Sequence, residues 1–240
     1  HKTVKVNDTL IFAKRFIIAT GSSPIIPDIP GLEDIPYLTN ETIFELEKKP
    51  EHLMIIGGGP IGCEMAQAHA LLGTKVSLFQ RKTILSKDDP ELVDVIRDQF
   101  LKEQIDLYED IQINSVKKIK KNIQISIEQY GNHHNINGSH LLVATGRKPN
   151  TEDLNLEVAK IKYDKKGIQV NKHMRTTNKR VYAIGDVAEG FKFTHIANYQ
   201  ASIALKNALF HWPAKVNYDA IPWTTYTEPL LAHIGIQEVD

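Results

Sequence analysis

The stretch "LMIIGGGPIGCEMAQAHALLGTKVSLFQRK", Leu53–Lys82, decides the reading of this chain. An apolar run ends in Gly57, Gly59 and Gly62, spaced G-x-G-x-x-G, and a helical pattern follows from Pro60 to Leu72. "KVSLFQ" then supplies a second apolar strand. In such a strand–turn–helix unit the first glycine permits a tight turn and the second lets backbone approach a pyrophosphate. The third lets the helix pack close to the strand. The amides of Ile61 to Cys63 are expected to face the phosphates with the positive end of the helix dipole. The residue that meets the adenosine ribose falls roughly 20 positions beyond the glycines. Gln80 stands there, followed by Arg81 and Lys82. An acid at that place would accept from the ribose 2'-hydroxyl and repel a 2'-phosphate. Gln80 does not repel, and Arg81 and Lys82 can pair with the phosphate, which favours NADP(H) over NAD(H). The plainer alternative makes Arg81 and Lys82 solvated surface charges.

Outward from this unit, Thr3 to Phe12 alternates as a half-exposed strand or hairpin would, and "FIIATG" reads as a buried strand. The proline-rich "SSPIIPDIPGLEDIP" is a connector, and residues 41–48 are expected to form a short helix. "DDPELVDVIRDQFLKEQ" places Leu92, Val93, Ile96 and Phe100 at helical spacing. From Ile105 to Ile127 the pattern predicts a small antiparallel meander, with "GNHHNING" as a turn. "HLLVATGRKPNT" and "RVYAIGDVA" follow as buried strands, and a helix is expected from Thr194, as N-cap, to Phe210. "FIIATGSSP" and "LLVATGRKP" echo one another on either side of the glycine-rich unit. Gly185-Asp186 ends an apolar strand, where a carboxylate can accept hydrogen bonds from a sugar or polyol hydroxyl.

An apolar fraction of 42% over 240 residues supports a packed core. Lys and Arg balance Asp and Glu at 29 each, so no general field draws the chain to nucleic acid or anionic lipid. Its apolar runs are strand-sized, well short of a membrane span. Cys63 is the only cysteine, which excludes an internal disulfide and fits a reducing, cytoplasmic setting. His133 and His134 fall in the expected turn, and none of the ten histidines has metal-ligand spacing with a carboxylate or cysteine, so no metal site is expected. The chain starts at His1 with what reads as the end of a unit, and is expected to be a piece of a longer protein.

"ATGSSP", "GGGPIGCEMA", "LLVATGRKPN", "VYAIGDVA", "FTHIANYQA" and "IPWTTYTEP" together resemble, in order and approximate spacing, the FAD-dependent class I pyridine nucleotide-disulfide oxidoreductases. Within that family "LFQRK" and "AIPWTTYTEPLLAHIG" look most like the mercuric reductase-like branch, beside dihydrolipoyl dehydrogenase and glutathione reductase. The resemblance implies an α/β fold, with a Rossmann-type NAD(P)-binding domain inserted between parts of an incomplete FAD-binding domain of similar fold. Residues 1–37 would end the first FAD-domain segment, 38–146 form the NAD(P) domain, 147–220 the second FAD segment and 221–240 the start of a dimer-interface domain. It also implies nucleotide contacts at Gly57, Gly59, Pro60, Ile61, Gly62, Glu64, Ile113 and Gly146, with Glu64 also near the flavin. Thr20, Gly21 and Ser22 would lie near FAD, Gly185 and Asp186 at its ribityl chain, and Lys192, Phe193, Thr194 and His195 near the flavin ring. The activity implied is hydride transfer from NAD(P)H to flavin and on to a disulfide, small-molecule or metal-ion acceptor, in a homodimer.

Several family features are missing. The first FAD fingerprint and the redox cysteine pair are absent, and Cys63, alone on the nucleotide helix, cannot replace the pair. The family's acid-base His-Glu pair would fall beyond Asp240, and no lysine matches the partner of Glu64. Pro60 replaces a bulky residue that gates the nicotinamide pocket in several members. No catalytic residue is therefore expected in this chain, and little turnover or bound flavin by itself. Two other readings remain open at this level: an NADH oxidase-like or ferredoxin reductase-like flavoprotein, and a non-catalytic nucleotide-binding module.

Overall fold

The computed structural model describes residues 2–235. In chain order the strands and helices are β1 (Thr3–Val6), β2 (Thr9–Phe12), β3 (Phe16–Ile18), β4 (Ser22–Pro24), β5 (His52–Ile56), α1 (Pro60–Leu71), β6 (Lys75–Phe79), α2 (Pro90–Lys102), β7 (Asp106–Tyr108), β8 (Ile111–Ile119), β9 (Asn122–Gln129) and β10 (Asn132–Gly138). There follow β11 (His140–Val143), β12 (Arg147–Pro149), β13 (Tyr163–Asp164), β14 (Gly167–Ile168), β15 (Val181–Ala183), α3 (Thr194–Leu209), β16 (Pro222–Thr225) and β17 (Leu231–Ile234). The chain divides into two compact units, His1–Ser23 with Arg147–Ala220, and Pro24–Gly146 with Ile221–Asp240. Residues 236–240 of the expected interface segment lie outside the described residues, as does residue 1.

The second unit is built on a four-stranded parallel sheet in the order β11-β5-β6-β7. Strands β11, β5 and β6 are buried on both faces and read as largely apolar runs, whereas β7, at the edge, is half-buried. Along β5, Leu53 and Ile55 face a cluster with Ala66, Val93, Ile96 and Phe100 of the two helices. Met54 and Ile56 point the other way, into Leu32 and Ile35 of the proline-rich connector and Val116, Ile125 and Ile127 of the meander. Helix α1 starts where Gly59 as N-cap meets Pro60 at the first helical position, and Gly73 with φ of 79° follows its end. Helix α2 is capped by Asp89, whose carboxylate accepts from the Glu91 amide at 2.9 Å. Leu92, placed by sequence on the apolar face of α2, is instead 48% exposed, while Val93, Ile96 and Phe100 are buried.

Three expectations in this unit are corrected. Residues 41–48 make only a 3-10 turn, Ile43–Glu45, because Ile43 alone of them is buried and Pro50 follows closely. "IDLYED" does not join the meander: β7 completes the parallel sheet beside β6. "GNHHNING" is mostly strand β10, antiparallel to β9, with the reversal at Tyr130-Gly131. His133 and His134 point to opposite faces and both are exposed, so its polar residues imitate a turn.

In the first unit β1 and β2 form a hairpin, but one exposed on both faces rather than half-exposed, its apolar residues Leu10 and Phe12 included, and β3 pairs in parallel with β15. "FIIATG" is not a buried strand: Ile17 is 40% exposed, and among the described residues β3 has one strand neighbour, β15. Tyr182, Met174, Val187 and Ile203 centre the core of this unit, against which α3 packs. Thr194 is the first residue of α3 rather than its N-cap; Phe193 holds that place and no side chain caps the helix. Among the described residues no helix is long and apolar enough to cross a membrane.

Candidate nucleotide-binding site

At the carboxyl end of β5 the three glycines meet three different constraints. Gly57 has φ of 111°, and a Cβ there would sit 2.4 Å from the Ala144 carbonyl oxygen. A Cβ on Gly62 would lie 1.8 Å from the Gly57 oxygen, so the helix can pass the turn only without a side chain. A Cβ on Gly59 would meet nothing within 4 Å. The first and third glycines are demanded by the protein's own packing, and the second faces open space, the cradle that a pyrophosphate needs. The helix amides differ slightly from expectation. Cys63 N–H already donates to the Gly59 carbonyl at 3.0 Å, and Pro60 has no N–H. Ile61 and Gly62 are thus the residues of the first turn whose amides can point at a phosphate. Cys63 itself is fully buried, its Sγ 3.5 Å from the Gly58 oxygen, and burial pushes its thiol well above the ordinary range.

Gln80 does more than avoid repelling a phosphate. Its Oε1 accepts from the Gly58 amide at 2.9 Å and its Nε2 donates to the Thr83 carbonyl at 3.1 Å, joining the glycine turn to the loop after β6. Leu85 N–H donates back to the Gly58 carbonyl at 2.8 Å. Between these ties Arg81 and Lys82 are exposed. Gly146, with φ of 128°, accepts from the Ile25 amide at 2.9 Å as the chain leaves β11. Ile113 lies on β8, half-buried against the meander-side core. Glu64 faces the last hairpin, accepting from the Tyr226 amide at 2.9 Å, and the Gln67 side-chain amide grips the Glu228 backbone, its Oε1 accepting from the Glu228 N–H at 2.7 Å and its Nε2 donating to the Glu228 carbonyl at 2.8 Å.

In the first unit a second polar cluster forms where β15 ends. Asp186 Oδ2 accepts from Ser22 Oγ at 2.6 Å, and Arg147 Nε donates to the same hydroxyl at 2.7 Å while lying 3.8 Å from the carboxylate. One quarter of the Asp186 side chain remains exposed, so a fixed acceptor faces outward. Gly185 N–H donates to Gln200 Oε1 at 2.7 Å, and Gln200, 1% exposed, donates in turn to the Tyr218 hydroxyl at 3.0 Å. Asn150 and Thr20 exchange side-chain-to-backbone bonds of 2.7 and 2.9 Å, fixing the turn that holds Gly21. Lys192 donates to the Arg147 carbonyl at 3.3 Å, and the Phe193 and His195 rings stack at 5.5 Å on either side of Thr194. The anchors Arg147 and Gln200 were missed by sequence reasoning. Both lie inside the quoted motifs "LLVATGRKPN" and "FTHIANYQA", where a polar residue next to a glycine or on an apolar helix face is the available signal.

The chain is 40% identical over 239 residues to mercuric reductase of Staphylococcus aureus, which it matches over 99% of its own length and 44% of that protein's. Against mercuric reductase of Bacillus cereus the identity is 38%, over 99% of this chain and 38% of the relative. The chain thus spans less than half the length of these relatives. Its fold superposes with a TM-score of 0.89 on the HOCl-induced flavoprotein disulfide reductase RclA from Escherichia coli, at 26% identity, covering 99% of this chain and 55% of that one. The family profile for pyridine nucleotide-disulphide oxidoreductase matches residues 1–201. With a profile match over most of its length and identity that runs from end to end, the chain belongs to the pyridine nucleotide-disulphide oxidoreductase family.

Proposed function

We propose that the chain is the nucleotide-binding part of an FAD-dependent NAD(P)H oxidoreductase, working in the cytoplasm as a homodimer and passing reducing equivalents to a disulfide or metal-ion acceptor. The observation that carries this reading is the open side of Gly59 beside two glycines that packing forbids to change. The turn would hold the pyrophosphate through the Ile61 and Gly62 amides, with Gly146 at the neighbouring strand end. Arg81 and Lys82 would pair with a 2'-phosphate and so favour NADP(H). In the first unit, Asp186 would accept from the hydroxyls of the FAD ribityl chain, its orientation held by Ser22 and Arg147. Thr20, Gly21 and Ser22 would line the same group, and Lys192 to His195 would lie near its ring, where the first amides of α3 favour negative charge. Bound flavin supplies two-electron acceptor chemistry for the hydride of the reduced nicotinamide. The mercuric reductase relatives favour a metal ion as final acceptor.

Titrating the purified chain with NADPH and NADH tests the reading. Saturable binding of both, tighter for NADPH, is expected. Gly59→Val should abolish binding while leaving the thermal midpoint unchanged, and Arg81→Glu should weaken NADPH by about tenfold more than NADH. Undiminished binding by the Gly59 variant would defeat the site, and equal losses from Arg81→Glu would defeat the 2'-phosphate assignment.

A further inference from the structure

The loop between Gln80 and Leu85 is fastened more heavily than an ordinary surface turn. Besides its ties to Gly58, the Ile84 amide donates to Glu109 Oε1 at 2.6 Å, and the Lys82 carbonyl accepts from the Asp110 amide at 3.1 Å. Glu109 is gripped by Arg97 of α2, Nε to Oε2 at 2.8 Å and Nη2 to Oε1 at 3.0 Å, and Arg97 Nη2 also reaches the Thr83 hydroxyl. Arg97 Nη1 is held by Asp94 at 2.5 Å. The guanidinium therefore spends its donors inside the protein, and only 28% of its side chain is exposed.

Resting on the NADP(H) reading above, we infer that Arg97 is a positioning residue for nucleotide selection: through Glu109 and Thr83 it holds the loop that presents Arg81 and Lys82. A planar fork that bonds two carboxylate oxygens and a hydroxyl at once fixes direction as well as distance, which the point charge of a lysine does not. Arg81 and Lys82 reach the phosphate from a backbone already set in place. Less ordering is then left to be done when the nucleotide arrives.

The test is the ratio of NADPH to NADH dissociation constants in the chain, its Arg97→Lys variant and its Arg97→Met variant. Both variants are expected to lose about five- to tenfold of the preference for NADPH, with NADH affinity nearly unchanged. Lysine keeps the positive charge and methionine does not. A lysine variant with the parent ratio would therefore overturn the positioning role and leave a through-space charge effect. Equal weakening of both nucleotides would overturn it as well, showing a general structural loss. If the parent chain itself prefers NADH, the NADP(H) reading fails and this inference with it; a parent preference for NADPH that survives both substitutions defeats the inference alone.

Discussion

The two units solve the same local problem in different ways. Each ends a parallel strand in a glycine turn, and in each a glutamine from another element accepts the glycine N–H: Gln80 from Gly58 and Gln200 from Gly185. Gln80 is half-buried and its second bond goes to a surface loop; Gln200 is 1% exposed and its second bond goes to the Tyr218 hydroxyl. The first arrangement leaves the turn's outer side open at Gly59. The second builds a fixed platform for the Asp186 carboxylate. The same hydrogen bond therefore carries different weight in the two places, because water reaches the Gln80 side chain and not that of Gln200.

Substitutions can break that comparison at several levels. Gly62→Ala should have the largest effect, about 3 kcal/mol of destabilisation or more, because the new methyl group would press into the Gly57 carbonyl and α1 must move away. Urea unfolding measures it, and a loss below half of that would show that the turn yields more easily than its packing implies. Gln200→Leu should cost about 2 kcal/mol by stranding the Gly185 amide, whereas Gln80→Leu should cost about half as much. Equal losses from the two variants would erase the distinction between platform and open turn.

The smallest effect concerns Glu109. Burial alone would raise its carboxyl, but the hydrogen bonds from Arg97 and the Ile84 amide outweigh that and hold it below the usual range. A folded value below the unfolded one means that the pair stabilises fully above the unfolded carboxylate value, about pH 4.3, and progressively less as pH falls through the folded value. The contribution should stay under about 1 kcal/mol for this partly exposed pair. Unfolding measured across that acid window should decline less steeply in Glu109→Gln than in the parent, and parallel curves would show that Glu109 contributes nothing.

What could be read from the sequence was what neighbouring residues decide among themselves. Gly57 and Gly62 answer to backbone conformation and to a close approach five residues away, so spacing alone revealed them. Asp89 and Pro90, at the head of "DDPELVDVIRDQFLKEQ", likewise start α2 through neighbouring residues alone. Contacts across long stretches of chain left no such mark. Arg147 is 125 residues from Ser22, and Gln67 is 161 from Glu228, and in both cases the sequence offers only a polar residue among apolar ones. Strand β10 was hidden by chemistry: on an edge of the meander its first four residues are exposed on both faces, where Asn and His are tolerated and resemble a loop. Residues 41–48 erred the other way, since a helical pattern that buries only Ile43 and soon meets Pro50 stops after one turn.

Cys63 has a practical consequence. The only thiol of the chain is sealed behind the glycine turn, and burial pushes it well above the ordinary thiol range, so that it stays protonated at neutral pH. A dye or spin label attached at a newly introduced surface cysteine, on the loop after β6 or near Asp186, would report from that one place without first stripping the native thiol.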